Sequence, residues 1–288
     1  MPWITRGLRN GIVTTRYPRR RDGYGEGFRG AVVVKGYLSD QASGISSVPI
    51  ADRSEPGSLQ AEHRLARQLE LLCPTNAIRA DSDVVRVDRG SCILCGRCVA
   101  ERGDIFAFDP SIEVAALSRS LLFVPELTDL EHEREHLREQ LGKKVYSLRR
   151  SIYVRHIDLG SDGAEEWEIA ALNNPVYDIA RLGIFFTASP RHADILLATG
   201  VGASNMVDPA LRTFEAMAEP KIVIALGTDA ISAGIFQRSD PAANGIASIL
   251  PIDLWVPGSP PSPLSIIHAI FLAVDLLPKA KVKEKERR

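Results

Sequence analysis

From about residue 145 onward, apolar and polar positions fall into short blocks that alternate between strand-like and helix-like spacing. Residues 182–187 (LGIFFT), 193–199 (ADILLAT) and 221–226 (KIVIAL) are near-continuous apolar runs and read as buried strands, with 249–254 (ILPIDL) as a further one. Residues 209–218 and 262–277 carry helical spacing. Alternation of this kind, broken by short Gly and Pro turns, predicts a parallel sheet covered by helices. Ligands on such sheets sit beyond the carboxyl ends of the strands, which singles out the loops beginning at Gly200, Gly227 and Pro257. Gly200-Val-Gly202 lacks the third glycine of a dinucleotide fingerprint, Asn205 standing in its place, so no nucleotide site is expected there. The run 266–277 contains His268 and Asp275 and falls short of the ~20 apolar residues of a membrane span. It predicts a packed helix.

Residues 127–144 (LTDLEHEREHLREQLGKK) are charged on nearly every helical face and predict a linker helix, with Thr128 as N-cap and an end near Gly142. Inside it, His132-Glu133-Arg134-Glu135-His136 matches the zinc-protease pattern H-E-x-x-H. Acids and bases at i, i+3 and i+4 account for the same residues as a solvated, ion-paired helix, and no cleft-forming apolar flank accompanies them. The protease reading is set aside.

The 288 residues are 45% hydrophobic and 25% charged with a net charge of −1, an ordinary globular balance for one large or two medium domains, without the basic field of a nucleic-acid binder. Basic residues gather at the ends. Arg6, Arg9, Arg16, Arg19, Arg20 and Arg21 precede the first acid, Asp22, and the segment from Lys279 is strongly basic. These are either solvated tails or docking points for acidic lipid or an acidic partner subunit. No apolar h-region follows the N-terminal arginines, so no secretory signal is expected and the chain should stay in the cytoplasm.

All four cysteines lie between positions 73 and 98, which argues for a metal site instead of a disulfide framework. Cys73 precedes Pro74, and eighteen residues separate it from Cys92-Ile-Leu-Cys95-Gly-Arg-Cys98. Three thiolates at intervals of three on one turn, with a distant Cys-Pro as the fourth, is how bacterial ferredoxins hold a 4Fe-4S cluster. Four-cysteine zinc is the alternative, but it usually comes as two separated C-x2-C pairs.

The segments Thr14-Thr15-Arg16-Tyr17-Pro18, Phe28-Arg29-Gly30, Cys73-Pro74-Thr75-Asn76-Ala77-Ile78 and the cysteine triplet resemble the two-cluster ferredoxin subunit of formate hydrogenlyase and respiratory complex I, over most of residues 1–125. The spacing of that family puts its other triplet at His63, Ala66 and Leu69 and the fourth ligand at Arg102, none of them cysteine. The resemblance therefore implies that one cluster is lost and one retained.

Residues 145–277 resemble the small subunit of group 4 nickel-iron hydrogenases and the B-type subunit of complex I. The likeness is carried by His156-Ile-Asp-Leu-Gly160, Ser189-Pro190-Arg191-His192-Ala193-Asp194, Glu219-Pro220-Lys221, Pro251-Ile-Asp253 and Val256-Pro257-Gly258-Ser259-Pro260-Pro261. In that family the domain holds a cluster that passes electrons to the nickel-iron site or to quinone. Its ligand positions fall on Asp162, Glu165, Asp229 and Ser259, where an active relative would have cysteine. Oxygen donors suit magnesium or calcium, not iron-sulfur, so this cluster is also implied to be lost. Three acids converging there must be hydrated, protonated or bridged by a cation.

The combined expectation is an α+β ferredoxin-like N-terminal domain joined to an α/β flavodoxin-like parallel-sheet domain. The divisions fall at 1–126, a linker helix 127–144, 145–278 and a basic tail 279–288. The implied function is a non-catalytic iron-sulfur electron-transfer subunit carrying one 4Fe-4S cluster on Cys73, Cys92, Cys95 and Cys98. It would serve a hydrogenase-like or complex I-like oxidoreductase on the cytoplasmic face of the inner membrane, peripheral to the membrane. Its partners would be a hydrogenase large-subunit homologue or complex I-like subunits and membrane antiporter-like subunits, with no nucleic acid. Because electron tunnelling weakens exponentially with distance, a chain with clusters lost on both sides could instead be a structural or redox-sensing subunit.

Overall fold

The computed structural model describes residues 2–20, 27–35, 59–80, 84–126, 130–145, 151–237, 239 and 244–274. Its first half contains α1 (Pro2–Asn10), β1 (Ala31–Val34), α2 (Leu59–Leu72), β2 (Ile78–Ala80), β3 (Val85–Asp88), α3 (Arg97–Glu101), β4 (Phe106–Asp109) and β5 (Phe123–Val124). Strands β1 and β4 pair antiparallel, as do β2, β3 and β5 in a separate three-stranded sheet. Val32, Val34, Leu69, Ile78, Val85, Val87 and Phe106 form one core, against which Cys73 and Cys92 pack and in which Cys98 is buried. Two positions that the resemblance assigns to a lost cluster are buried. Ala66 is buried and Leu69 is a core residue. At the third, Arg102 pairs with Asp104 at 2.6 Å. The side chain of His63 lies outside the described residues.

The second half contains α4 (Glu131–Lys144), β6 (Ile152–Asp158), α5 (Ala164–Ala171), β7 (Ile184–Phe186), β8 (Ile195–Thr199), α6 (Val207–Glu215), β9 (Ile222–Leu226), α7 (Thr228–Ser232), β10 (Leu254–Val256) and α8 (Pro263–Ala273). The five strands form one parallel sheet in the order β10-β9-β8-β6-β7. Counted from the first strand of the domain this is 2-1-3-4-5, the order of flavodoxin-type doubly wound sheets. Every residue of β8 and β9 is buried, which is why both read as continuous apolar runs: a parallel sheet is covered on both faces. Each fully buried Ile or Leu contributes roughly 1.5–3 kcal/mol of transfer free energy.

Helix α8 closes one face of the sheet. Ser262 caps it by accepting from the Ser265 amide at 3.2 Å, and Pro263 supplies the first helical position. His268 on this helix is buried and joins the Tyr17 hydroxyl at 2.7 Å, tying the N-terminal segment to the sheet domain.

Several elements shift from their predicted bounds. The strand expected over 249–254 begins only at Leu254. Residues 246–248 form a 3-10 turn, Ile249 and Leu250 pack beneath the sheet, and Pro251 has no amide to give a ladder. Thr128, the expected cap of α4, lies outside the described residues, and the helix runs from Glu131 through Gly142 to Lys144. Its last turn is held by Lys143–Glu139 at 2.8 Å and Lys144–Asp253 at 2.6 Å, while Leu137 and Leu141 pack into the two cores of the sheet domain. No helix among the described residues is long and apolar enough to cross a membrane. Arg21 and the tail from Lys279 lie outside those residues.

Candidate functional site

Two loops carry the cysteines to one place. After α2 the chain turns through Asn76, at φ 53°, and the Ala77 amide donates to Cys73 Sγ at 3.1 Å. At the end of β3, buried Asp88 accepts from the Gly90 amide at 2.9 Å and the Ser91 hydroxyl at 2.7 Å, and forms an ion pair with Arg119. That anchor starts the loop bearing Cys92, Cys95 and Cys98. Two left-handed residues bend it, Leu94 at φ 54° and Gly96 at φ 76°. A Cβ on Gly96 would also press the Phe108 ring at 3.0 Å, so this turn demands glycine twice over. Cys98 then enters the first turn of α3.

All four cysteines line one concavity, partly open to solvent, together with Leu72, Pro74, Ile78 and Val87. Burial pushes the Cys92 thiol up to about 12 and the Cys98 thiol up to about 11, with the neighbouring cysteines adding to both. Thiolates therefore form here only alongside a cation that compensates their charge. Among the described residues, the one group picked out as close enough to hold a metal ion is Asp162, Glu165 and Asp229, whose ligand atoms lie within 4.8 Å of one another. For the cysteines it is the all-sulfur donor set, three of them on one C-x2-C-x2-C turn, that fits an iron-sulfur cluster.

That carboxylate group is the second ligand set, at the carboxyl edge of the parallel sheet. Asp162 follows β6, Glu165 lies in the first turn of α5, and Asp229 lies in α7 after β9. Asp162 is exposed, whereas Glu165 is 1% and Asp229 6% exposed. Burial, then the charges of Asp229, Asp162 and Glu166, push the Glu165 carboxyl up to about 7; burial, then Asp162 and Glu166, push Asp229 up to about 6. Glu165 Oε2 is buried without a hydrogen-bond partner, an arrangement that costs about 1–3 kcal/mol, more when charged. Beside it, Thr199 donates to Glu166 Oε1 at 2.5 Å and lies 3.0 Å from His156 Nε2. Burial depresses the His156 pKa. Ser259, the fourth expected position, is exposed and has its neighbour Gly258 accepting from the Thr228 amide at 2.7 Å. Hard oxygen donors do not fit the iron-sulfur cluster that the resemblance puts at these positions.

The two sets are neighbours. Thr228 donates to the Cys92 carbonyl at 3.1 Å, Ser232 to the Gly90 carbonyl at 3.0 Å, and Gln237 to the Thr75 carbonyl at 3.4 Å. Gly90 lies so close to α7 that a Cβ there would meet Ile231 at 2.7 Å. None of Thr228, Ser232, Asp88 and Arg119 stands out in the sequence, because each matters through a contact dozens of residues away. By contrast, His132 and His136 sit exposed on α4, where His136 meets Gln140 at 2.8 Å and no third ligand joins them among the described residues.

Residues 163–273 match the family model of the NADH ubiquinone oxidoreductase 20 Kd subunit. The probable membrane-bound hydrogenase subunit mbhJ of Pyrococcus furiosus is 36% identical over 147 residues, which is 51% of this chain and 88% of that protein. Formate hydrogenlyase subunit 7 of Escherichia coli is 37% identical over 143 residues, 50% of this chain and 56% of that protein. NAD(P)H-quinone oxidoreductase subunit K of Nostoc punctiforme is 35% identical over 121 residues, 42% of this chain and 49% of that protein. The alignment thus spans about half the length of each of the last two. A chain of the membrane-bound sulfane sulfur reductase, an archaeal respiratory membrane complex, aligns with a TM-score of 0.41 and 24% identity over 47% of this chain and 75% of its own. On the match at residues 163–273 and the identity across 88% of the Pyrococcus protein, this chain belongs to the family of the NADH ubiquinone oxidoreductase 20 Kd subunit.

Proposed function

We propose that the chain is an iron-sulfur electron-transfer subunit of a membrane-associated, hydrogenase-like or complex I-like oxidoreductase, with one 4Fe-4S cluster held by Cys73, Cys92, Cys95 and Cys98. The observation that carries this is the convergence of four thiols from two loops on one concavity. When bound, such a cluster supplies one-electron exchange. The chain's own groups bend the loop at Leu94 and Gly96, exclude water with Leu72, Ile78 and Val87, and direct the Ala77 amide at the Cys73 sulfur. An N–H donor to a ligating sulfur is one of the levers that tune a cluster's potential. Residues 1–126 are read as a ferredoxin-like unit fused to the sheet domain, with the helix 127–144 between them.

Peripheral attachment, on the cytoplasmic face, has its own support. Along α1, Trp3, Ile4 and Leu8 are exposed on one side while Arg6 and Arg9 occupy the other, the pattern of a helix that lies in an anionic lipid interface. Partners of the hydrogenase large-subunit or complex I-like kind, with membrane antiporter-like subunits, complete the proposal; relatives named as a membrane-bound hydrogenase subunit and a quinone oxidoreductase subunit support it.

The test is iron, acid-labile sulfide and zinc per chain on anaerobically purified protein, with an electron paramagnetic resonance spectrum after reduction. About four irons and four sulfides, with the signal lost in Cys95→Ser, are expected. Zinc without sulfide would overturn the reading. The oxygen donors at the second site favour a further reading, a scaffold or redox sensor, since the chain's own relay then ends at the cysteines. Loss of turnover with intact assembly in Cys95→Ser marks a relay, and failed assembly marks a structural role.

A further inference from the structure

We propose that Asp162, Glu165 and Asp229 form a binding site for one hard divalent cation of the magnesium, manganese or calcium class, replacing soft-metal chemistry at this edge of the sheet. The inference stands apart from the cysteine reading, because no cysteine is among its ligands.

Geometry comes first. One oxygen from each carboxylate lies within 4.8 Å of the others. Around magnesium at ~2.0–2.1 Å, oxygens are separated by about 2.9 Å along octahedral edges and about 4.2 Å across the ion, and calcium at 2.3–2.6 Å opens these spacings further. A mutual approach within 4.8 Å matches the sphere of a calcium-sized ion, and a magnesium ion would draw the oxygens together by about 0.6 Å at most, with the remaining positions open to water on the exposed Asp162 side.

The second observation is independent of the cluster itself. Glu165 is 1% exposed and its Oε2 has no hydrogen-bond partner, although buried carboxylate oxygens are normally satisfied. No Lys, Arg or His forms an ion pair with any of the three acids among the described residues; the nearby His156 is taken by Glu166 at 3.3 Å. A buried, unpartnered carboxylate oxygen on one of three mutually approaching acids, with no cationic side chain paired to any of them, is what a cation site looks like without its ion.

The backbone makes room for this arrangement. A Cβ at Gly227 would collide with Glu165 Oε1, and one at Gly234 with Asp229 Oδ1. Both glycines have positive φ, 92° and 49°, and each leaves the space its carboxylate occupies. Oxygens from two segments, the turn from β6 into α5 and the start of α7, give a site with a solvent-side entry at Asp162.

The experiment is a titration of the full chain, purified anaerobically with its cysteine site as isolated, using Mn²⁺ alone and following loss of the free-ion paramagnetic resonance signal. Manganese takes carboxylate and water oxygens and is directly visible. One bound ion per chain is expected, displaced by Mg²⁺ or Ca²⁺. Affinity should fall at least about tenfold in Glu165→Gln and in Asp229→Asn, and measurably in Asp162→Asn, with Asp104→Asn unchanged. Iron per chain should stay constant in all four, which separates failure of this site from failure of the cysteine site. Asp162 is exposed, so its variant decides the matter even if a buried substitution impairs folding. No stoichiometric Mn²⁺ up to about 1 mM, or binding that survives all three substitutions, would overturn the proposal.

Discussion

The cysteine loop and the carboxylate edge of the sheet lie against each other and are built by opposite strategies. The cysteine ligands are close in sequence, and the backbone does the work: left-handed residues at 94 and 96 and the Asp88 anchor curl one short loop around a concavity. The carboxylates come from loops some 67 residues apart, and the sheet does the work by fixing where β6 and β9 end. Soft donors are gathered by a local turn, hard donors by tertiary structure. The first site should therefore respond to donor chemistry and the second to the packing beneath it.

Exchanging donor class is the strongest way to break the comparison. Cys92→Asp puts a hard oxygen in the all-sulfur set, and iron per chain should fall from about four to less than one, read by metal analysis. Next is the anchor. Asp88→Ala strips Arg119, Ser91 and the Gly90 amide of their shared partner and should cost about 3 kcal/mol, seen as a lower midpoint in chemical denaturation with iron loss at lower denaturant. If stability drops and iron retention does not, the loop holds its shape without its anchor.

A smaller effect is expected on the other side. Gly227→Ala meets a backbone at φ 92° and ψ 157°, a region open essentially to glycine, and displaces Glu165; about 1–3 kcal/mol should be lost, with iron content unchanged. Equal loss of iron would show that the two sites are one cooperative unit. The smallest concerns the Tyr17–His268 contact. Burial depresses the His268 pKa, so the folded state binds fewer protons than the unfolded state just below the ordinary histidine value. Stability should be full above about pH 6.5 and decline as pH falls from there toward the depressed folded-state value. His268→Gln should flatten that acid limb in a series of thermal melts, and Tyr17→Phe should cost about 1 kcal/mol at neutral pH.

Legibility in the sequence follows the same division. The C-x2-C-x2-C spacing and Cys73-Pro74 needed no structure to stand out, because their geometry is local. The apolar runs of β8 and β9 were equally plain, since burial on both faces leaves no polar alternation to confuse. The strand predicted over 249–254 is misplaced because half-buried Ile249 and buried Leu250 pack as a strand's residues would, yet directly follow a 3-10 turn and precede Pro251. The carboxylates were found only through family resemblance, and their mutual approach, like the hydrogen bonds from Thr228 and Ser232, is long-range and has no period to detect. Residues such as Asp88 and Arg119 look like ordinary surface charge until the fold pairs them.

The bond from Thr228 to the Cys92 carbonyl spans 136 positions. At about 5–20 residues per second, a ribosome adds Thr228 roughly 7–27 s after the cysteine loop itself has been made. During that interval the four thiols are complete while the bonds from α7 that fix the loop's backbone are not. Once α7 docks, Thr228 and Ser232 hold the carbonyls of Cys92 and Gly90 while Cys95 stays exposed at the concavity, so a metal donor can reach the thiols on the nascent chain and on the finished protein alike.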